Sequence, residues 1–503
     1  MSRALGIIDV GSNTVRLAVY TVEGPSGACR LLTARREVLR LAREGRHLDD
    51  GAVARTAAVL SRFRRICQDY GANEIVAAAT AAVRQADNGQ GFVAAVQAKT
   101  GVECRILDGD TEAEMGFRGG LANLAITEGL LVDVGGASTE ASIFHDRRMG
   151  SHASVPVGAV NGTTRWLSQD PPGRGEVRAM RSELAAVWAG MAWLEEARGL
   201  PLVGIGGTFR ALAKIYQRRH GRREPLHGTE VPATFAADLL GELAAMPPAR
   251  RAAVPGLPAH RADIIVAGMA IVAELAARTG AELIIVSGQG LREGLLLEAI
   301  RPGGDGADQP VPDPFGESLR SCVALFRLSP GRSSHVAAVA LQLFDGTTAL
   351  HNLGKPERRA VEVAGRLRDA GTAIDYYARD KHTFYLIRNA PLHGLTRRER
   401  DLAAAAGAYE KLGGHRERWA ETGAAPGDET VAARLGLLVA LADALADSQP
   451  QPAQTPLHVT ATPAIVRVCA PDLGAGEGAS LTHEFGEEFR RLFGRPLAFS
   501  QQG

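Results

Sequence analysis

Ile8-Asp9-Val10-Gly11-Ser12-Asn13-Thr14-Val15-Arg16-Leu17 is echoed 124 residues later by Val132-Asp133-Val134-Gly135-Gly136-Ala137-Ser138-Thr139-Glu140-Ala141. Each copy reads as a β-branched strand, an Asp-Val-Gly, a small polar turn ending in Thr, and a second strand. A strand–turn–strand unit that recurs at this distance argues for two similar lobes, each offering an equivalent loop to a shared cleft. The surrounding sequence agrees. Strand candidates at Leu5–Asp9, Val15–Val22, Glu74–Ala79, Glu103–Leu107, Gly129–Asp133, Ala141–Phe144, Leu202–Ile205 and Leu283–Ser287 alternate with Ala-rich helical stretches at Ala52–Tyr70, Gln90–Thr100, Glu176–Glu196 and Ala262–Thr279. Such alternation is the signature of an α/β fold. Arg301–Pro314 has Gly, Pro and Asp without apolar periodicity and reads as a linker. Beyond it, Ser334–Leu343, Arg358–Leu367, Arg397–Leu412 and Thr430–Ala446 carry apolar residues at helical spacing, followed by a β-like segment Leu457–Cys469 and an amphipathic helix near Glu484–Phe493. The expected organisation is lobe I over 1–125, lobe II over 126–300, a linker over 301–314 and a mainly helical region over 315–503.

The chain's 503 residues are ample for several cores, and 57 Lys+Arg against 56 Asp+Glu leave a formal charge of +1. That balance argues against a dedicated nucleic-acid binder. Cys29, Cys67, Cys104, Cys322 and Cys469 are scattered without CxxC pairs, which argues against a disulfide framework or a structural zinc. The start meets Asp9 and Gly11 before a signal-like apolar stretch can build, and the apolar run Ile264–Ala273 is about half the ~20 residues of a membrane span. The expectation is a soluble cytoplasmic protein.

Glycines in such turns let the backbone approach a ligand, and successive N–H groups make an anion nest to which Ser and Thr hydroxyls add donors. An Asp at the strand end suits a hydrated Mg²⁺, which takes one or two carboxylates plus phosphate oxygens. A single D-x-G turn is more often only a hairpin, and two matched copies facing one another reverse that balance. A third loop, Val203-Gly204-Ile205-Gly206-Gly207-Thr208, reads either as another phosphate or base contact or as a tight strand-to-helix turn.

The paired loops resemble the phosphate motifs of the actin-like, sugar-kinase and Hsp70 superfamily. With Ala78–Gly89, DGDTEAEMGF at Asp108–Phe117, Val155–Val160, IGGTFRALA, RADIIVAGMAI and IVSGQGLREGLL, the set is similar to the exopolyphosphatase and guanosine-pentaphosphate phosphatase family. The resemblance implies two actin-like (ribonuclease-H-like) lobes followed by a helical HD-like region. It implies that Asp9, Asp133 and Glu140 serve a Mg²⁺ or other divalent cation, with Asp133 and Glu140 also in the catalytic set. Gly11, Ser12, Asn13, Thr14, Gly135, Gly136, Ser138 and Thr139 would cradle phosphate, joined by Gly206, Gly207 and Thr208 of the third loop. Arg84 would pair with phosphate oxygens, and Glu112 would be the base that activates water. From the residues alone, Arg84 also reads as a surface arginine and Glu112 as a carboxylate placed at a helix N-terminus by the dipole. The substrate implied is inorganic polyphosphate, the alternatives being guanosine pentaphosphate or binding of either ligand without turnover. A homodimer is also implied. The chain departs from the family pattern at Ala137, where a glycine is usual and a Cβ would either crowd the phosphate or change the loop.

HD domains hold metal with a His, a His-Asp pair and a late Asp. Here His335 and Asp443 fit the first and last positions, but the central pair reads Arg368-Asp369, which argues for a scaffold without metal. Basic residues cluster at Lys214, Arg218, Arg219, His220, Arg222 and Arg223 and at Arg358, Arg359, Arg397, Arg398 and Arg400. They read either as solvated faces or as a guiding track for a polyanion.

Overall fold

The computed structural model describes residues 3–23, 28–41, 46–221, 225–300, 313–422, 427–448, 457–470 and 473–500. Two units separate, Met1–Asp313 and Pro314–Gly503. Most of the expected linker, 301–312, and the expected cluster members Arg222 and Arg223 lie outside the described residues.

In the first unit, β1 (Arg3–Val10) pairs antiparallel with β2 (Thr14–Glu23), which pairs with β3 (Ala28–Val38). On its other side β1 runs parallel to β4 (Glu74–Ala79), and β4 to β5 (Cys104–Ile106), giving the order β3-β2-β1-β4-β5. Strand alternation divides the side chains of β1 between two cores. Ile8 and Val10 pack with Leu60, Phe63 and Phe92 from helices Asp50–Asp69 and Gly89–Thr100. Leu5 and Ile7 pack on the opposite face with Met115 of helix Gly109–Leu121 and Leu295 of helix Leu291–Ile300. A sheet covered on both faces explains the nearly continuous apolar run of β1.

The second sheet comprises β6 (Gly129–Val134), β7 (Thr139–His145), β8 (Arg148–Val155), β9 (Leu202–Ile205), β10 (Thr229–Pro232) and β11 (Leu283–Val286), in the order β10-β11-β9-β6-β7-β8. The β6–β7 hairpin repeats β1–β2, and β9 runs parallel to β6 as β4 does to β1. One face carries helices Ala159–Trp166, Arg174–Ala189, Gly206–Arg219, Ala233–Ala245 and Ile265–Thr279. The other meets Phe117 and Leu121, so helix Gly109–Leu121 is shared between the sheets. Cβ atoms added at Gly119 and Gly294 would strike the backbone of Gly290 and Met115, so only glycine permits this helix to lie so close to Leu291–Ile300.

Three strands of these two sheets were not expected from sequence. β3, with Arg30, Arg35 and Arg36, is an edge strand, and β8 is one too, with much of its length solvated. Only the inner face of such a strand must be apolar, which weakens the pattern. β10 has four residues and ends in Pro232.

The second unit packs helices Pro314–Leu325, Pro330–Gly346, Lys355–Arg366, Arg379–Asn389, Arg397–Gly407, Leu412–Ala420, Asp428–Ser448 and Ala475–Phe493 around one core. Asp428–Ser448 is apolar nearly all round and runs through its centre. The helix expected over Arg397–Leu412 stops at Gly407, and another begins at Leu412. The expected β segment is a hairpin, β12 (His458–Ala461) and β13 (Val466–Cys469), completed by a parallel strand β14 (Leu497–Ser500) after the last helix. Pro314, expected in the linker, opens the first helix of this unit.

Candidate active site

The two repeated turns are built alike. Gly11 N–H donates to Thr14 O at 3.1 Å, and Gly135 N–H donates to Ser138 O at 3.0 Å. They meet face to face, since a Cβ on Gly136 would lie 3.0 Å from Ser12 Cβ and 3.4 Å from Asn13 N. A cavity opens at this junction, lined by Asp9, Gly11, Ser12, Asn13 and Thr14 from the first turn and by Asp133, Gly135, Gly136 and Ser138 from the second. Glu112, Gly206 and Gly207 line it as well. Gly206 has φ +88°, and a Cβ there would overlap Asp133 Oδ1, so this turn needs glycine for conformation and for space. Ser12 Oγ accepts from Ala82 N–H at 3.1 Å, while buried Asn13 Nδ2 makes no hydrogen bond among the described residues.

Other expected site residues fall elsewhere. Thr139 donates its hydroxyl to Val157 O at 2.6 Å and is fully buried on the core side of β7. Thr208 is fully buried too, its Oγ1 accepting from Arg261 Nη2 at 3.4 Å. Neither side chain reaches the cavity. Glu140 lies behind it, accepting from Ser154 Oγ at 2.8 Å. Arg84 donates to Glu112 Oε2 at 2.5 Å and to Leu107 O at 2.9 Å, so its guanidinium stands on the far side of the Glu112 carboxylate. Ala137 is buried, its carbonyl accepts from Asn161 Nδ2 at 2.9 Å, and it does not line the cavity.

Five charged residues were not foreseen in the cavity: Arg16, Arg210, Arg261, Arg292 and Glu293. Arg16 was within the quoted repeat. Its signal was the hairpin register, which puts it opposite Asp9 and therefore on the same face. Arg210, Arg261 and Arg292 lie in the stretches IGGTFRALA, RADIIVAGMAI and GLREG, joined only by topology. Glu293 holds its own turn, accepting from Gly290 N–H at 2.9 Å and Tyr20 Oη at 3.1 Å.

Burial dominates the electrostatics and penalises both signs. It raises Asp133 to about 6 against the pull of Arg210 and Arg16, and Glu112 to about 7 against the hydrogen bond and charge of Arg84. It also raises Asp9, and it raises Glu140 strongly with Glu112 and Asp133 adding to the rise. The same burial lowers Arg16, Arg210 and Arg261. The cavity thus holds desolvated charge of both signs, a setting that an anionic ligand and a cation would relieve together.

Asp9 and Asp133 suit a divalent cation: both are hard oxygen donors at matching strand ends, and both line the cavity. Among the described residues no three His, Cys, Asp or Glu side chains group to hold a metal, so the expected trio Asp9, Asp133 and Glu140 is not assembled as one ligand set. Waters and phosphate oxygens would have to supply the remaining ligands.

In the second unit, the late Asp443 and the central Asp369 face guanidinium groups. Arg332 donates to Asp369, Asp443 and Asp447 at 3.0, 2.7 and 2.6 Å, and Arg368 donates to Asp443 Oδ2 at 3.1 Å. Cationic side chains therefore already neutralise these acids. Several basic residues read as a track are likewise paired: Arg219 with Glu242, Arg358 with Asp345, Arg398 with Asp428 and Glu357, and Arg397 with Asp401.

Two lobes with duplicated phosphate-type turns facing across a cleft define an actin-like phosphate-handling protein. A model of the Ppx/GppA phosphatase family matches residues 26–301, and one of Ppx/GppA phosphatase domain III matches residues 317–464. Exopolyphosphatase 1 of Mycobacterium tuberculosis is 34% identical over 315 residues, covering 60% of this chain and 90% of that protein. The guanosine-5'-triphosphate,3'-diphosphate pyrophosphatase of Aeromonas salmonicida is 28% identical over 412 residues, 79% of each chain. The crystal structure of the Aquifex aeolicus Ppx/GppA family member superposes at a TM-score of 0.52 with 25% identity, over 61% of this chain and 100% of that one. An exopolyphosphatase structure from Cytophaga hutchinsonii gives 0.55 at 23% identity over 61% of this chain and 100% of that one, a likeness of fold. The chain belongs to the Ppx/GppA phosphatase family. It is a hydrolase of phosphoanhydride bonds, of a kind that generally depends on divalent cations. Among the described residues, no helix is long and apolar enough to cross a membrane.

Proposed function

We propose that this enzyme is an exopolyphosphatase, releasing orthophosphate from the end of inorganic polyphosphate with Mg²⁺. The observation that carries the reading is a second chamber that shares Thr14, Arg16, Gly207, Arg210, Arg261 and Arg292 with the first cavity. Arg35, Arg36 and Lys214 add to its lining, and it contains neither a carboxylate nor a Phe, Tyr or Trp ring. A run of guanidinium groups leading away from the reaction centre matches a repeating anion. A nucleoside would want a broad aromatic or apolar surface for its base, and here the only such groups are Ala34, Ala211, Pro258 and the His260 ring among six arginines and Lys214.

In this reading the terminal phosphoryl group lies between the two turns, held by backbone N–H groups and the Asn13 amide, while the following phosphates meet Arg16, Arg210, Arg261 and Arg292. Asp9 and Asp133 would hold Mg²⁺, which when bound neutralises charge on the transferring phosphoryl oxygens. Glu112 takes a proton from the attacking water, its elevated pKa suiting it to that work near neutrality. Arg84 holds the Glu112 carboxylate in place from behind. Glu140, whose carboxyl burial and its negative neighbours push well above the usual range, accepts from Ser154 Oγ on the adjacent strand. The enzyme works as a cytoplasmic homodimer.

Orthophosphate release from long-chain polyphosphate and from guanosine pentaphosphate, compared at equal enzyme and with Glu112→Gln as control, tests the reading. Preference for polyphosphate, with a KM that climbs steeply with salt, is the expected result. A higher kcat/KM for the nucleotide would transfer the assignment to hydrolysis of guanosine pentaphosphate, the substrate in the name of its Aeromonas relative, a guanosine-5'-triphosphate,3'-diphosphate pyrophosphatase. Binding of either ligand without release would leave a sensor.

A further inference from the structure

Beside the cavity, a single residue of lobe I fastens a turn of lobe II. The backbone N–H groups of Leu39 and Arg40 both donate to Asn13 O, at 3.1 and 3.0 Å, so the end of β3 is tied to the first phosphate turn. Arg40 itself adopts φ +58°, a left-handed conformation that costs a non-glycine residue and persists where surrounding contacts impose it. Its side chain then crosses to lobe II. Nη1 donates to Asp263 Oδ2 at 2.6 Å and Nη2 to His260 O at 3.5 Å. Between these two acceptors in sequence stands Arg261, at the end of the 3₁₀ turn Ala259–Arg261, with its buried guanidinium in the cavity.

We infer that Arg40 is a positioning residue that clamps the lobes, setting the gap between the Asn13 amide and the Arg261 guanidinium that an anionic chain end must bridge. Both ends of that gap want an anion. Asn13 Nδ2 and Arg261 Nε are buried and make no hydrogen bond among the described residues. Without the clamp, the cleft spends part of its time too wide for one phosphate to reach both, and apparent affinity falls by the fraction of competent molecules. Saturating substrate restores the closed form through its own contacts, so KM moves and kcat does not. Nothing in this argument assigns Arg40 a contact with substrate. The inference rests on the anion-binding half of the proposed function and is independent of which phosphoanhydride is cleaved.

The test uses Arg40→Gln, Asp263→Asn and the double variant in the full chain. The readouts are KM and kcat with tripolyphosphate and Mg²⁺, and the Kd of pyrophosphate by calorimetry. Each single substitution is expected to raise KM and Kd about fivefold, as befits a partly exposed ion pair, with kcat within about twofold. The double variant should again show about fivefold rather than about 25-fold, because either change alone opens the clamp. Arg40→Asn, a residue tolerant of positive φ, should fold at least as well and show the same KM rise, separating clamping from backbone strain. KM and Kd unchanged in both single variants, or independent multiplication in the double, would overturn the inference. A wild-type enzyme that binds pyrophosphate but does not cleave tripolyphosphate would instead count against the proposed function, and the Kd series would still judge the clamp.

Discussion

Arg84→Gln separates two roles that the structure assigns to one guanidinium. Burial pushes Glu112 to about 7, and the hydrogen bond from Arg84 is the largest influence holding it from rising further. The pair is short, 2.5 Å, and both side chains are mostly shielded from water. A hydrogen bond to a charged group is worth about 1.5–3 kcal/mol, and a pKa unit corresponds to about 1.4 kcal/mol, so losing Arg84 should lift Glu112 by roughly 1–2 units. A base works only when ionised, so the acid limb of kcat/KM should move from near pH 7 to roughly pH 8–9. At pH 7 the ionised fraction would drop from about a half to between about one in ten and one in a hundred, a loss of roughly five- to fiftyfold that alkaline buffer restores. Any phosphate contact that Arg84 makes during the reaction would appear as a further, pH-independent loss. Orthophosphate release from tripolyphosphate between about pH 5.5 and 9.5, with Mg²⁺ held constant, reads the horizontal and vertical displacements separately. A variant whose limb stays within about 0.3 unit of the wild type's would refute the assignment of Glu112 as the base controlled by Arg84. Stability should follow with a definite sign. Because the folded carboxyl titrates near 7 rather than 4.5, Glu112's contribution is complete below about pH 4.5 and is lost as pH rises through about 7. In Arg84→Gln that loss extends to higher pH and deepens, which thermal melts across the same range would record.

Gly206→Ala should abolish turnover while leaving a folded protein, because the new methyl both strains a φ of +88° and overlaps Asp133 Oδ1. Retained hydrolysis in that variant would remove Asp133 from the reaction centre. In the second unit, Arg368→Ala leaves Asp443 short of a buried partner and the carbonyls of Gly407 and Tyr409 without their shared donor. We expect a loss of about 3 kcal/mol in urea unfolding that added Mg²⁺ or Mn²⁺ does not restore. Restoration by metal would mean that the acids there form a cation site after all.

The fold was legible where sequence pattern and burial coincide. β1 and β6 are covered on both faces and wrote themselves as apolar runs, whereas β3 and β8 are edges whose solvated faces carry arginines, histidine and serine. At the site, the turns were legible because they occur twice. The arginines were not, since Arg210, Arg261 and Arg292 are distributed over more than eighty positions and converge only when β9, β11 and the helices that follow are in place. Thr139 and Glu140 illustrate a different failure. Adjacent residues of a strand face opposite ways, so one phosphate could not have been offered both. The register decides between them: Glu140 lies opposite Asp133 and shares its face, while Thr139 lies opposite Val134 and joins the core.

That same register exposes where the duplication has been broken. Counting from the strand-end aspartate, the seventh residue is Arg16 in the first hairpin and Glu140 in the second. In each hairpin it stands directly across from its aspartate, Asp9 with Arg16 and Asp133 with Glu140. Two identical loops would give a cleft symmetric in charge, able to grip a phosphate but with no preferred direction for an attacking water. The exchange of a cation for an acid at this one position removes the symmetry. On the lobe I side Arg16 lines the cavity and continues into the cationic chamber, where charge on a bound chain is neutralised. On the lobe II side Glu140 is a buried carboxyl that Glu112 and Asp133 push further up, while Asp133 and Asp9 add to the rise of Glu112. In the proposed function a linear anhydride would lie with its chain toward the arginines and its end toward the carboxylates. The repeat's single charge reversal thus adds to the asymmetry that Arg210, Arg261, Arg292 and Glu112 bring from outside the two hairpins.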